Sequence, residues 1–120
     1  QQRQKGCNCG SNYFKPVPPV KRNKTIEKVA KAHSDDMLKR NELTHYSKNG
    51  QDPGGRLINA GYEWATWAEN VAMGQQNEEE AMKSWLESPL HCANIMNAQV
   101  TEVGAARSGK YWTQLFAAPK

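Results

Sequence analysis

Apolar residues follow a helical period in the first third of the chain and form shorter, strand-like runs nearer its end. Between residues 23 and 41 they recur every three or four positions, which predicts an amphipathic helix that is capped by Asn23 or Thr25 and ends near Asn41. His33 lies on this stripe, so we expect a hydrogen-bonded histidine at the edge of the core. The stripe comprises Ile26, Val29, Ala30, His33 and Met37.

Two more helices are predicted on either side of a serine–proline pair. Asn77 stands before three glutamates, and an asparagine cap with an acidic first turn suits the positive end of a helix. That helix should end near Glu87. Ser88 and Pro89 favour the cap and the first position of a new helix, which is expected to run to about Asn97.

The strands are predicted near the middle and at the end of the chain. Residues 66–73 form one candidate, and residues 100–107 and 110–117 flank Ser108-Gly109, a two-residue turn that predicts a β-hairpin. Because helices alternate with strands, the predicted fold class is α+β, with a small antiparallel sheet flanked by helices.

The segment 42–61, which contains His45, is predicted to be mostly loop because it is rich in turn-forming residues. Arg56 opens a short helical stretch that is expected at 57–60. Residues 1–24 are polar, basic and proline-rich, and they are predicted to form an extended connector to a domain at 25–120.

Length and charge exclude some classes of protein. The 120 residues can form one domain with a hydrophobic core, and no apolar run approaches the roughly 20 residues that cross a bilayer. Residues 1–40 contain ten Lys or Arg and three Asp or Glu, which gives a net charge of +7. Residues 41–120 contain six Lys or Arg and nine Asp or Glu, which gives a net charge of −3. The basic part could meet anionic polymers, but its charges are not interleaved with stacking aromatics, which argues against nucleic acid.

The three cysteines are Cys7, Cys9 and Cys92, and their spacing matches no zinc motif. A bridge from Cys92 to either Cys7 or Cys9 would tie the N-terminus to the body and imply an oxidising compartment. The third cysteine would then be free or join a second chain, and otherwise the protein is expected to be a monomer. Three reduced thiols in a cytosolic protein are the alternative.

Seven short motifs occur in an order that resembles the CAP superfamily, also called SCP/TAPS, in its compact microbial form. The resemblance covers roughly residues 25–118 and implies an α-β-α sandwich, secretion and a cavity lined by His and Glu. The motifs are His33-Ser34-x-Asp36-Met37, Thr44-His45, Gly61-Tyr62, Ala68-Glu69-Asn70-Val71-Ala72, Trp85-x-x-Ser88-Pro89-x-His91-Cys92-x-Asn94-Ile95, Thr101-Glu102-Val103-Gly104 and Tyr111-Trp112-Thr113-Gln114.

The resemblance also implies a set of cavity residues. His45 and Glu69 match two of them, and His91 matches the prominent histidine of compact microbial members. Ser88 and Tyr111 stand where animal and plant members have Glu and His, so the four-residue set is incomplete. The full predicted cavity set is His45, Glu69, Ser88, His91, Asn94 and Gln114.

The N-terminal segment also differs from the family pattern. The longer first helix of family members is not visible, and residues 1–5 would be the trimmed end of it. Cys9 lies where bacterial members place a single N-terminal cysteine, so the resemblance favours a Cys9–Cys92 disulfide over Cys7–Cys92.

The chemistry of this cavity has several interpretations. His45, Glu69 and His91 could bind zinc or another divalent cation, although no cofactor is required, and a purely structural His–Glu–His cluster explains them equally well. Glu69 and His91 are the candidate catalytic residues of a metal-assisted hydrolase. Ser88 is better explained as a helix cap than as a nucleophile, and no nucleophile elbow is present. The balance is against an enzyme.

The sequence therefore predicts a secreted or extracytoplasmic protein that acts as a non-catalytic binding or interaction module at a cell surface or wall. Its ligand would be a surface glycan, a lipid, a divalent metal or another small molecule. A metal-assisted hydrolase with protease or esterase activity and a lipid or sterol carrier are the alternatives.

Overall fold

The computed structural model describes residues 2–120 and has three layers. A sheet lies between helices α2 and α3 on one face and helices α4 and α5 on the other, which confirms the predicted α-β-α sandwich. The elements are α1 (Gln2–Lys5), β1 (Cys7–Cys9), β2 (Asn12–Phe14), β3 (Lys21–Arg22), α2 (Lys24–Arg40), α3 (Pro53–Asn59), β4 (Trp64–Met73), α4 (Glu78–Glu87), α5 (Pro89–Ile95), β5 (Glu102–Ser108) and β6 (Tyr111–Pro119).

The main sheet has the strand order β3-β5-β6-β4. Strands β4, β5 and β6 are antiparallel as predicted, and the short β3 adds a parallel pairing to β5. The hairpin pairs Ser108 with Tyr111, so its turn is Gly109-Lys110, one residue later than expected. Gly109 takes the positive φ of 55° that such a turn requires.

Strand β6 is buried on both faces. Tyr111 and Leu115 pack towards α2, whereas Trp112 and Phe116 pack with Trp85 in the core beneath α4 and α5. The predicted division of the strand's side chains between two faces is therefore confirmed. The protein has one core on each side of a central strand, which explains why β6 is apolar along most of its length.

Helix α2 has the predicted ends. The Asn23 side chain accepts a hydrogen bond from the backbone N–H of Ile26, and Asn41 ends the helix in the left-handed conformation with a φ of 55°. The helix contacts the sheet at Gly104, where an added Cβ would lie 2.6 Å from Cα of Glu27. Only glycine allows this approach.

Helix α3 begins earlier than expected, at Pro53 instead of near Arg56. Asp52 caps it by accepting a hydrogen bond from the N–H of Gly55 at 2.8 Å, and Pro53 occupies the first helical turn. Asp52 and Pro53 are also common in turns, which is why the sequence predicted a loop here. An aspartate at the cap followed by a proline at the first helical position is equally typical of a helix start.

The N-terminal segment is more structured than the connector that was predicted. It contains α1, the antiparallel β1–β2 hairpin and β3. Arg3 is buried, and its guanidinium donates hydrogen bonds to four backbone carbonyls that are distant in sequence, those of Pro18, Ile95, Asn97 and Val100. Short polar strands lack a periodic signal, and such long-range contacts are invisible in a sequence pattern.

Cys9 and Cys92 form a disulfide across 83 residues, and Cys7 is a free cysteine. The pairing expected from the family resemblance is thus present. Among residues 2–120, no helix combines the length and the hydrophobicity that crossing a membrane requires.

Candidate functional site

The predicted site lies at the β4 edge of the sheet, where three other segments meet it. Strand β4 supplies Glu69, the loop after α2 supplies His45, α5 supplies His91 in its first turn, and α3 supplies Arg56. Glu69 lies within a strand whose neighbours are mostly buried, and its side chain is fully shielded from solvent. A buried carboxylate needs compensating partners.

Those partners are His45 and Arg56. Nδ1 of His45 lies 2.9 Å from Oε1 of Glu69, and the guanidinium of Arg56 lies 3.4 Å from Oε2 and 3.5 Å from Oε1. Arg56 also donates a hydrogen bond of 2.5 Å to the backbone carbonyl of His45. Both carboxylate oxygens are therefore engaged, and the loop that carries His45 is fastened to α3.

Arg56 is the site residue that the sequence analysis missed. It was assigned only to the start of a helical stretch. The available signal was Glu69, since a carboxylate inside a strand requires a nearby positive charge. Nothing local identifies which of the sixteen Lys and Arg residues supplies it, because Arg56 is thirteen positions away and belongs to another element.

His33 holds the same part of this loop from the core side. Its side chain is buried, and Nε2 lies 2.6 Å from the backbone carbonyl of Thr44, next to His45. Burial lowers the pKa of His33, and Arg56 opposes its protonation while Glu69 favours it. The expectation of a hydrogen-bonded histidine is confirmed, although the residue lies inside the core and not at its edge.

His91 is half-buried and close enough to His45 for their charges to interact. Burial is the main cause of a lowered pKa for His91, and a protonated His45 would lower it further. His45 is more accessible, with 45% of its side chain exposed. The two imidazoles thus interact electrostatically with each other, and His45 also contacts Glu69, whose side chain is shielded from solvent.

The predicted metal trio does not converge as tightly as a closed metal centre. Within residues 2–120, three His, Cys, Asp or Glu ligand atoms approach within 4.8 Å of one another only at Cys7, Cys9 and Cys92. Metal binding by His45, Glu69 and His91 stays a prediction.

Asn94 and Gln114 belong to a network of amide side chains behind the site. Asn70 Nδ2 donates to Oε1 of Gln114 at 2.9 Å and to the backbone carbonyl of His91 at 3.2 Å. Asn94 Nδ2 donates to Oδ1 of Asn70 at 2.9 Å and to the backbone carbonyl of Glu69 at 3.2 Å. These contacts position the backbone of both site residues.

Among residues 2–120, the Ser88 and Tyr111 side chains make no hydrogen bond to His45, Glu69 or His91. Ser88 occupies the N-cap position of α5 as predicted, but its side chain makes no capping hydrogen bond. Tyr111 is buried, and its hydroxyl donates to Oδ1 of Asn41 at 3.1 Å, so it closes the C-terminal end of α2.

Exposed apolar side chains lie close to both histidines in the sequence. Leu43 and Tyr46 are near His45, and Leu90 precedes His91; these side chains are 46%, 59% and 81% exposed. Single exposed apolar residues are ordinary on protein surfaces, so they do not by themselves identify a ligand.

Comparisons with known proteins agree with the fold and the motif order. Residues 15–116 match the family described as "CAP: Cysteine-rich secretory protein family". This chain belongs to that family.

Two relatives from Bacillus subtilis (strain 168) show the extent of the similarity. The uncharacterized protein YkwD is 36% identical over 102 residues, which is 83% of this chain and 40% of YkwD. The uncharacterized membrane protein YlbC is 32% identical over 88 residues, or 73% of this chain and 25% of YlbC. The chain therefore spans less than half the length of these curated relatives.

Two solved structures share the fold. An extracellular protein from Bacillus anthracis str. Ames that contains an SCP domain superimposes with a TM-score of 0.82 at 29% identity, covering 85% of this chain and 34% of that one. An outer surface protein from Borrelia burgdorferi gives a TM-score of 0.80 at 23% identity and covers 87% and 80% of the two chains.

Proposed function

We propose that this CAP domain is a non-catalytic binding module that acts outside the cytoplasm, with the His45–His91 surface as its binding site. The observation that carries the proposal is the state of Glu69: its carboxylate is fully buried, and both of its oxygens face His45 or Arg56. Because water does not reach this carboxylate and both of its oxygens already have hydrogen-bond donors, it is poorly placed to activate a water molecule.

A divalent cation is the ligand that best suits the two histidines. Nδ1 of His45 faces Glu69, which leaves Nε2 of the exposed ring as the nitrogen that can bind a ligand. A carboxylate behind a histidine is a common arrangement at metal sites because it fixes the ring and raises its basicity. Glu69 would therefore support the cation indirectly, and His45 and His91 would contact it.

The location of action is part of the proposal. A disulfide that joins the N-terminal hairpin to α5 is typical of proteins in oxidising compartments. Two structural neighbours are an extracellular protein and an outer surface protein, which supports the same location for this chain.

Zinc titration by calorimetry tests the site. The background is Cys7→Ser, because a free thiol binds zinc by itself, and Lys31→Ala on the exposed face of α2 is the matched control. We expect saturable binding by the background and control proteins, and at least a tenfold loss of affinity in His45→Ala and in His91→Ala. Equal zinc affinity in the His45→Ala/His91→Ala double variant would remove the cation from the proposal.

Turnover assays distinguish the alternatives. We expect casein and ester substrates to be cleaved no faster than in buffer, with or without zinc. Cleavage that is lost in Glu69→Gln would replace the binding module with a metal-assisted hydrolase, and saturable binding of a fluorescent sterol would favour a lipid carrier.

Co-sedimentation with insoluble cell-wall glycan tests for a surface partner, and we expect it to require the His45 surface.

A further inference from the structure

All three cysteines meet at one point between the N-terminal hairpin and α5. Cys7 and Cys9 lie two residues apart on β1, so their side chains share a face of that strand. That face meets Cys92 on α5. Sγ of Cys7 lies 3.5 Å from Sγ of Cys92 and 3.9 Å from Sγ of Cys9. The free thiol therefore contacts the disulfide directly and lies nearer to its Cys92 sulfur.

The packing of the hairpin maintains this arrangement. Gly10 in the β1–β2 turn has a φ of 63°, and an added Cβ would lie 3.0 Å from Cγ of Pro89 at the start of α5. Cys9 and Cys92 are buried with 2% and 0% exposure, whereas Cys7 is only half-buried. Solvent and small reagents can thus reach the Cys7 sulfur but hardly reach the other two.

We propose that Cys7, Cys9 and Cys92 form a thiol–disulfide exchange site with two isomers. The thiolate of Cys7 attacks Sγ of Cys92, the Cys7–Cys92 bond forms, and the Cys9–Cys92 bond breaks. The electron pair of the broken bond leaves on Cys9, which takes up the proton that Cys7 had released to solvent. The numbers of disulfides and thiols are unchanged, so the exchange needs no external oxidant or reductant.

The balance between the isomers depends on packing in the folded protein. The two disulfides would close loops of nearly the same length, 83 and 85 residues, so the entropy of the unfolded chain hardly distinguishes them. The isomers differ in which thiol remains. With Cys9–Cys92 the free thiol is the reachable Cys7, and with Cys7–Cys92 it is the buried Cys9. Exchange would therefore expose or hide one reactive thiol on the N-terminal hairpin.

Cys92 follows His91 on α5, but the exchange requires neither a metal nor a ligand, so it does not depend on the proposed binding function. The number of free thiols in two matched variants tests the exchange site. Each variant is refolded in a glutathione buffer, quenched in acid and titrated for thiols after denaturation. We expect Cys9→Ser to form Cys7–Cys92 and retain no free thiol, as Cys7→Ser does with Cys9–Cys92. Two retained thiols in a folded Cys9→Ser, with none in Cys7→Ser, would overturn the proposal.

The wild-type protein provides a test that does not depend on the folding of a variant. The native protein is incubated at neutral or alkaline pH without reagent, quenched in acid and denatured. Its thiols are then alkylated, and tandem mass spectrometry locates the label on Cys7 or Cys9. We expect label on both residues, with this mixture forming faster as pH rises because the thiolate is the attacking species. Label confined to Cys7 at every pH would exclude the second isomer.

Discussion

At the scale of single residues, Arg56 has the largest effect on the site. Its guanidinium neutralises the Glu69 carboxylate where water does not reach, and it also holds the backbone carbonyl of His45. Removing one member of a buried ion pair usually costs more than removing both, because the remaining charge is left without a partner.

We therefore expect Arg56→Met to lower the free energy of unfolding by about 3 kcal/mol, as for other buried ion pairs that lose one partner. Urea denaturation measures the change. Adding Glu69→Gln should restore a substantial part of the loss, which a double-mutant cycle would reveal as coupling. Lys31→Met, which removes an exposed pair with Asp35, is the control and should cost less than about 1 kcal/mol. Additive effects of Arg56→Met and Glu69→Gln would contradict the pairing.

We expect two histidines to make stability depend on pH. Burial lowers the pKa of both His33 and His91 in the folded protein below the value of about 6.5 that an unfolded chain has. The unfolded chain then binds protons that the folded protein does not, so stability falls as pH drops through about 6.5 and the loss is complete below the folded pKa values.

Urea midpoints measured between about pH 7.5 and pH 5 should therefore decrease towards acid, with a shallower decrease in His91→Asn. The window lies above the range in which Asp35, whose pKa is lowered by hydrogen bonds from Lys31 and Ser108, takes up a proton. A midpoint that rises towards acid, or an identical slope in His91→Asn, would show that these histidines do not carry the effect.

At the scale of elements, the helix starts follow local chemistry closely. Three helices begin with a side-chain oxygen that accepts a hydrogen bond from a backbone N–H of the first turn. The residues that provide it are Asn23, Asp52 and Asn77. Ser88 has the preferred residue type and the right position, yet its hydroxyl makes no such bond. The residue type therefore predicts where a helix begins, whereas the hydrogen bond depends on how the preceding helix enters the joint.

Two matched substitutions measure this difference. Asn77→Ala should lower the free energy of unfolding by about 1 kcal/mol, because the cap bond to the Glu80 N–H is lost. Ser88→Ala should cost clearly less, since no cap bond exists to be removed. Denaturation midpoints of the two variants give the comparison, and equal losses would mean that Ser88 does cap α5 in solution.

At the scale of the whole molecule, Arg3 and Cys9 join the start of the N-terminal segment to the body, in addition to the pairing of β3 with β5. The Arg3 guanidinium binds carbonyls at the end of α5 and in the loop that follows it, and the disulfide joins β1 to α5 itself. Both contacts connect residues more than eighty positions apart. The disulfide also restricts the unfolded chain, whereas the hydrogen bonds of Arg3 stabilise only the folded protein.

Loss of the disulfide should therefore be costly. We expect Cys92→Ser, which removes the sulfur common to both possible pairings, to lower the free energy of unfolding by about 4 kcal/mol on the chain-entropy model. Cys9→Ser should lose less, because Cys7 can take over the bond to Cys92. Thermal and urea denaturation under non-reducing conditions provide the test, and equal losses in the two variants would mean that Cys7 offers no substitute.

The sequence alone predicted the order of the helices and strands from α2 onwards and named the candidate site residues. A helix with a long apolar stripe, an asparagine cap or a proline in the first turn depends on neighbours within a few positions, so α2, α4 and α5 were predicted close to their true limits. The motif order indicated His45, Glu69 and His91 as cavity residues, which stays a prediction, and the resemblance paired Cys9 with Cys92. Each of these features is local or carried by a family pattern.

Tertiary structure alone decided which distant groups meet. The partner of Glu69, the carbonyls that hold Arg3 and the place of Cys7 beside the disulfide depend on contacts between elements far apart in the chain. Burial selects these contacts, since a charge or polar group that is removed from water must find a partner wherever the fold brings one near. A one-dimensional pattern shows that a partner is needed, but only the fold identifies it.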